Sequence, residues 1–151
     1  MDFEFSVADA PPPSGFDLGH MTLRGTDGTA SSCGRRPDQS MMIYLSLSQL
    51  LDGLRQLLER GRGTYSFGAV DSSFTLHFRL AKDGTLVTRS GGAGGPLIDC
   101  SPAAEAAADL AAAATDFTAG ALPSLPPDDA GAQDLMGSLA EFTAAFGAER
   151  G

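Results

Sequence analysis

Leu45-Ser46-Leu47-Ser48-Gln49-Leu50-Leu51-Asp52-Gly53-Leu54-Arg55-Gln56-Leu57-Leu58-Glu59-Arg60-Gly61 is the stretch on which the fold turns. Leu47, Leu50, Leu51, Leu54, Leu57 and Leu58 recur at i, i+3, i+4, i+7, i+10 and i+11, the single apolar stripe of an amphipathic helix. Ser46 followed by Gln49 has the form of a capping box, and Leu45 with Leu50 that of a hydrophobic staple. Gly61 supplies a left-handed C-terminal stop. Six leucines left in water would each forgo about 1.5–3 kcal/mol. The helix therefore needs cover, and its flanks supply strands.

Upstream, Phe3, Phe5 and Val7 alternate with Glu4 and Ser6, the period-two pattern of a half-buried strand. Pro11-Pro12-Pro13-Ser14-Gly15 ends it. Met21 and Leu23 place a second strand over residues 20–24, Asp27-Gly28 makes the turn after it, and residues 41–45 read as a short apolar strand entering the helix. Residues 29–39 are polar and read as part strand, part loop. Downstream, residues 64–68 form a strand, and Phe74, Leu76, Phe78 and Leu80 alternate strictly with Thr75, His77 and Arg79. Lys82-Asp83-Gly84 turns that strand into a hairpin with residues 85–88. Ser90-Gly91-Gly92-Ala93-Gly94-Gly95-Pro96 reads as a loop poor in packing side chains, and Leu97-Ile98 as a last short strand.

Ser101-Pro102 has the form of an N-cap followed by proline at the first helical position, opening an alanine-rich helix that Gly120 closes. Its inward stripe is Ala103, Ala106, Leu110, Ala113, Ala114 and Phe117; Glu105, Asp109 and Asp116 fall together on the outward side. Leu135, Leu139, Phe142 and Phe146 return at helical spacing. These elements predict one α+β domain over residues 1–120, an antiparallel sheet of five or six strands with two main helices on one face. A Pro/Asp-rich linker over 121–132 and a short C-terminal amphipathic helix and tail over 133–151 follow.

Charge is distributed unevenly. The net charge of −9 over 151 residues divides into nine basic and ten acidic residues in 1–96, but nine acidic residues against Arg150 alone in 97–151. Such a field repels nucleic acid and anionic membrane surfaces and steers basic partners. An acidic start without an apolar leader core, and no long apolar run, predict a cytoplasmic protein. Cys33 and Cys100 lack any CxxC or zinc-finger spacing, which predicts free thiols and no metal site.

Catalytic signatures do not assemble. Paired carboxylates work when burial pushes their pKa values apart, whereas Glu105, Asp109 and Asp116 lie on a solvated face. Only His20 and His77 could serve a nucleophile as base, and His77 falls on the polar side of its strand. Asp71-Ser72-Ser73 lacks the G-x-S-x-G elbow. Gly91 to Gly95 lacks the Lys-Ser/Thr of a P-loop. Arg55, Arg60 and Arg62 complement the dipole at the end of the leucine helix. The expectation is a chain that is not an enzyme and takes no cofactor.

The run Leu45-Ser46-Leu47-Ser48-Gln49-Leu50-Leu51 through Leu57-Leu58, the Tyr65-Ser66-Phe67 strand, Asp71-Ser72-Ser73-Phe74-Thr75-Leu76-His77-Phe78 with its Asp83-Gly84 turn, and the Ile98-Asp99 entry into a helix resemble the WapI-like immunity proteins. The resemblance spans roughly residues 40–120 and lies in element order and hydrophobic pattern. It implies a small bacterial α+β protein that neutralises a toxin by binding it. The polyproline segment, the glycine loop and the C-terminal helix depart from that pattern.

The residues thus predict a protein-binding module that meets a basic protein partner through Glu105, Asp109 and Asp116. Two alternatives stand beside it. One is an accessory or scaffolding subunit whose Leu135, Leu139, Phe142 and Phe146 enter a partner's groove; the other is a small-molecule binder or enzyme with a pocket between sheet and helices.

Overall fold

A computed structural model describes residues 1–146. It is α+β, with eight antiparallel strands in two four-stranded sheets and three helices. The first sheet comprises β1 (Asp2–Val7), β2 (Leu18–Arg24), β3 (Thr29–Ser31) and β4 (Met41–Met42). β2 runs through its centre, with β1 along one side and β3 and β4 sharing the other. After α1 (Ile43–Arg60), the second sheet is a meander of β5 (Gly63–Gly68), β6 (Thr75–Leu80), β7 (Thr85–Ser90) and β8 (Leu97–Pro102). Helix α2 (Ala103–Ala121), a 3-10 turn over Leu122–Ser124 and helix α3 (Ala130–Phe146) complete the described chain. Residues 147–151, the end of the expected tail with Glu149 and Arg150, lie outside the described residues.

The expected single sheet of five or six strands is thus two sheets. The polyproline segment brings the chain back as β2 to pair with β1 in full register from Asp2↔Arg24 to Val7↔Gly19, so the N-terminal strands form a sheet of their own. The turn after β2 ties the two sheets. Asp27 N donates to Ile98 O at 2.9 Å, and the buried Asp99, 3% exposed, accepts from Thr26 N at 3.1 Å and Thr26 Oγ1 at 3.3 Å. Gly25 is required there, since a Cβ would stand 2.2 Å from Ile98 O.

Helix α1 buries Leu47, Leu50, Leu51, Leu54 and Leu57, with Leu58 half-buried. Gly61 closes it at φ 80° and its N–H returns to Leu57 O. Its start differs from the capping-box expectation. The helix begins at Ile43 with Met42 as cap residue, which also shortens the expected 41–45 strand to two residues. Ser46 lies inside the first turns, buried, with its Oγ accepting from Val70 N at 2.9 Å. Gln49 donates to Gly68 O instead of closing a box. Both side chains tie α1 to the end of β5 and the residues just after it. In the same way Ser101 and Pro102 belong to β8 and provide no side-chain cap for α2, and α2 runs through Gly120 to Ala121.

Helix α3 is longer than expected and starts earlier. Asp129 caps it: Oδ2 accepts from Ala132 N at 2.9 Å while Oδ1 accepts from Gly15 N at 3.1 Å, so one carboxylate fixes the helix start and fastens it to the polyproline loop. Gly131 allows that approach, because a Cβ would sit 2.7 Å from Gly15 O. The helix packs against α1 and α2. Ser48 and Ser138 meet between α1 and α3 at 2.6 Å, a hydroxyl pair in a buried crossing of small residues.

Candidate functional site

Only His20 and His77 could serve as imidazole bases. His20 Nδ1 lies 3.0 Å from Ser32 Oγ. That oxygen also accepts from Met21 N at 3.0 Å, and Ser32 is 0% exposed. A nucleophile must reach its substrate; this hydroxyl is spent on the β2 main chain and walled in. His77 is half-buried and lies 3.3 Å from Ser66 Oγ across the β5–β6 pair. Cys33 and Cys100 are both exposed and unpaired. Among the described residues no group of three or more His, Cys, Asp and Glu side chains is placed to hold a metal ion, and no helix is long and apolar enough to cross a membrane. The glycine turn between β7 and β8 is closed on itself, with Ser90 N donating to Pro96 O and Arg89 donating to Gly95 O.

Arg55 spans two helices, meeting Glu59 at 3.3 Å and Glu141 of α3 at 3.6 Å, and Arg60 donates to Thr64 O. These arginines brace α1 rather than form a free basic patch.

Among the described residues, the acids of the C-terminal third have different surroundings. Asp99 ties the two sheets together. Burial opposes its charge, but hydrogen bonds to the carboxylate outweigh that and hold its pKa below the ordinary value. The neighbouring Ser101 hydroxyl, the Thr26 bonds and the positive charge of the Met1 amino group all act in that direction. Asp129 caps α3, Glu141 meets Arg55, and Asp109 accepts from the Met1 amino group at 2.8 Å. Glu105, Asp116, Asp128 and Asp134 remain exposed and without an ion pair among the described residues.

Glu105, Asp109 and Asp116 share one face of α2, as their spacing predicts. The structure adds what the sequence did not show: β1 runs alongside that face. Phe5 packs edge-on against Phe117 with ring centroids 6.0 Å apart, and Phe117 in turn lies 5.7 Å from Tyr44 of α1. Beside this contact a groove of about 510 Å³ opens, lined by Asp2 to Phe5 on one wall and Asp109, Ala112, Ala113 and Asp116 on the other. Asp2 and Glu4 share Arg24 at 3.1 and 2.9 Å. A second groove of about 440 Å³, bordered by Arg35, Arg36, Gln39 and Ser73, is of the opposite sign.

The other predicted partner-binding residues are placed differently. Leu135 and Phe142 are 0% exposed inside the core, and Leu139 and Phe146 are half-buried against it. The apolar stripe that the accessory-subunit alternative offers to a partner's groove is thus covered by α1 and α2. Only Met136, 58% exposed, presents a large apolar side chain from α3 to solvent.

No protein-family model matches the chain, and neither a curated protein nor a solved structure does.

Proposed function

We propose that this chain is a non-catalytic protein-binding module whose working surface is the acidic face of α2 together with β1, and whose partner is a basic protein. The observation that carries the reading is the groove between them, where Asp109 and Asp116 of α2 stand beside an apolar floor of Phe3, Phe5, Ala112 and Ala113. An immunity-type role, in which the module occludes a basic toxin, is the form of this reading that the resemblance to WapI-like proteins favours. The accessory-subunit reading is the weaker one, because Leu135 and Phe142 would have to leave the core to enter a partner's groove.

The test is affinity capture from the native cell with wild type, with a Glu105→Lys/Asp116→Lys variant, and with an Asp128→Lys/Asp134→Lys control. Capture of a basic protein that the first variant loses and the control retains supports the reading. Equal capture by both variants refutes it.

A further inference from the structure

β1 forms one border of its sheet, and the hydrogen-bond phase of the β1–β2 pair shows which of its groups are free. Ala8 N donates to Leu18 O at 2.9 Å. In an antiparallel ladder hydrogen-bonded residues alternate, so with this register Asp2, Glu4 and Ser6 face β2. On the far side of β2, Ser32 N donates to Met21 O, which sets odd-numbered β2 residues toward β3 and independently gives the same phase. Phe3, Phe5 and Val7 therefore aim their N–H and C=O groups away from the sheet, and among the described residues no hydrogen bond reaches them from that side.

Natural sheets usually blunt such a border, because it is a template for another strand. Here it opens into the α2 groove. We propose that the basic partner contributes an extended segment that adds to β1 as a fifth strand of the first sheet, a mode of recognition that rests on the acidic-face reading above. A strand laid along β1 sends alternate side chains to its two faces. Those on the Phe3 and Phe5 face meet Ala112 and Ala113, whose small side chains leave room for the stem of an arginine or lysine, and end beside Asp109 and Asp116. Those on the other face lie next to Asp2 and Glu4. Both faces thus favour basic side chains, with main-chain bonds holding the strand and charge selecting it. A second copy of β1 would set acids against acids, and like charges opposite one another are unfavourable.

The probe is a synthetic peptide of alternating Arg and Val, matched to β1 in length, with a Glu-for-Arg peptide as control. Affinity is measured by calorimetry at two salt concentrations, and amide exchange of the protein by NMR. The expected result is salt-dependent binding of the basic peptide alone, with new protection at the Phe3, Phe5 and Val7 amides and none gained at Glu4 or Ser6. Val7→Pro is the decisive variant: Val7 is 38% exposed, and its N–H points outward, where proline is tolerated on an edge strand. It should weaken binding by about tenfold, the worth of one main-chain hydrogen bond, with an unchanged melting temperature.

Binding that leaves those three amides unprotected and is untouched by Val7→Pro overturns strand addition. If Asp116→Asn still weakens it, the acidic face stands without the strand. Failure of the basic peptide to bind also overturns strand addition, whereas the acidic face falls only if the capture experiment fails as well. A wild-type dimer that Val7→Pro dissolves would show that a second copy is the occupant, and would overturn the proposal.

Discussion

Gly53→Ala is the perturbation in which local and tertiary preferences collide most measurably. Gly53 lies in the interior of α1, where alanine is favoured over glycine by about 1 kcal/mol. A Cβ at Gly53, however, would stand 2.0 Å from Tyr65 Cζ and 2.3 and 2.4 Å from the Cε atoms. The ring lies flat on the helix, and it cannot swing away freely. Its hydroxyl donates to Gln49 O at 3.0 Å, and its other face stacks on Phe78 at 6.0 Å and 12°. Moving it forfeits the hydrogen bond, about 0.5–1.5 kcal/mol, and much of the ring pair, about 0.5–1.5 kcal/mol. Against the gain in propensity, a net loss of about 1 kcal/mol follows. Urea denaturation of Gly53→Ala measures it. In a Tyr65→Ala background the clash is gone, and the same substitution should stabilise by about 1 kcal/mol. If Gly53→Ala stabilises the wild-type protein, the packing of β5 on α1 described above is wrong.

Other consequences concern pH and the third helix. Burial pushes the Tyr65 hydroxyl up to about 12 and raises that of Tyr44, so absorbance at alkaline pH should show neither phenol half-ionised at the ordinary 10.0. The stability that Tyr65 contributes in its neutral form is fully present below its unfolded value of 10.0 and is lost as pH rises through about 12. Asp99 has the opposite sign. Its contribution is present above the ordinary 3.8 and is lost as pH falls through its lower folded value. Asp99→Ala should cost about 2 kcal/mol at neutral pH by denaturant unfolding, and the gap should close in acid. Phe142→Ala should cost about 3–5 kcal/mol; an unchanged melting curve would contradict the docking of α3 on the core.

What the sequence disclosed, and what it hid, follows from distance along the chain. The leucine stripe of α1, the Gly61 stop, the alternation of β6 and the Asp83-Gly84 turn were legible because each is written within one element. Ser46 misled for the opposite reason. Its cap-like position is local, but its hydroxyl is claimed by Val70 N–H, 24 residues away. β8 was read short because Asp99, buried by its bonds to Thr26, interrupts the apolar pattern. Division into two sheets depends on which strand β1 finds, which no local period encodes. The charge tally named α2 as the acidic helix, yet the tasks of Asp109, Asp129 and Glu141 depend on Met1, Gly15 and Arg55. Asp129 was readable as an N-cap, an aspartate directly before a helix, but the surrounding prolines and aspartates gave it the look of a linker.

The most direct test of the account is an amide-exchange footprint of the protein bound to the partner it captures. Protection concentrated on residues 105–116 of α2 and on Phe3, Phe5 and Val7 of β1 is the predicted result. Protection centred instead on the Arg35 and Arg36 groove, with α2 and β1 exchanging as in the free protein, would contradict it.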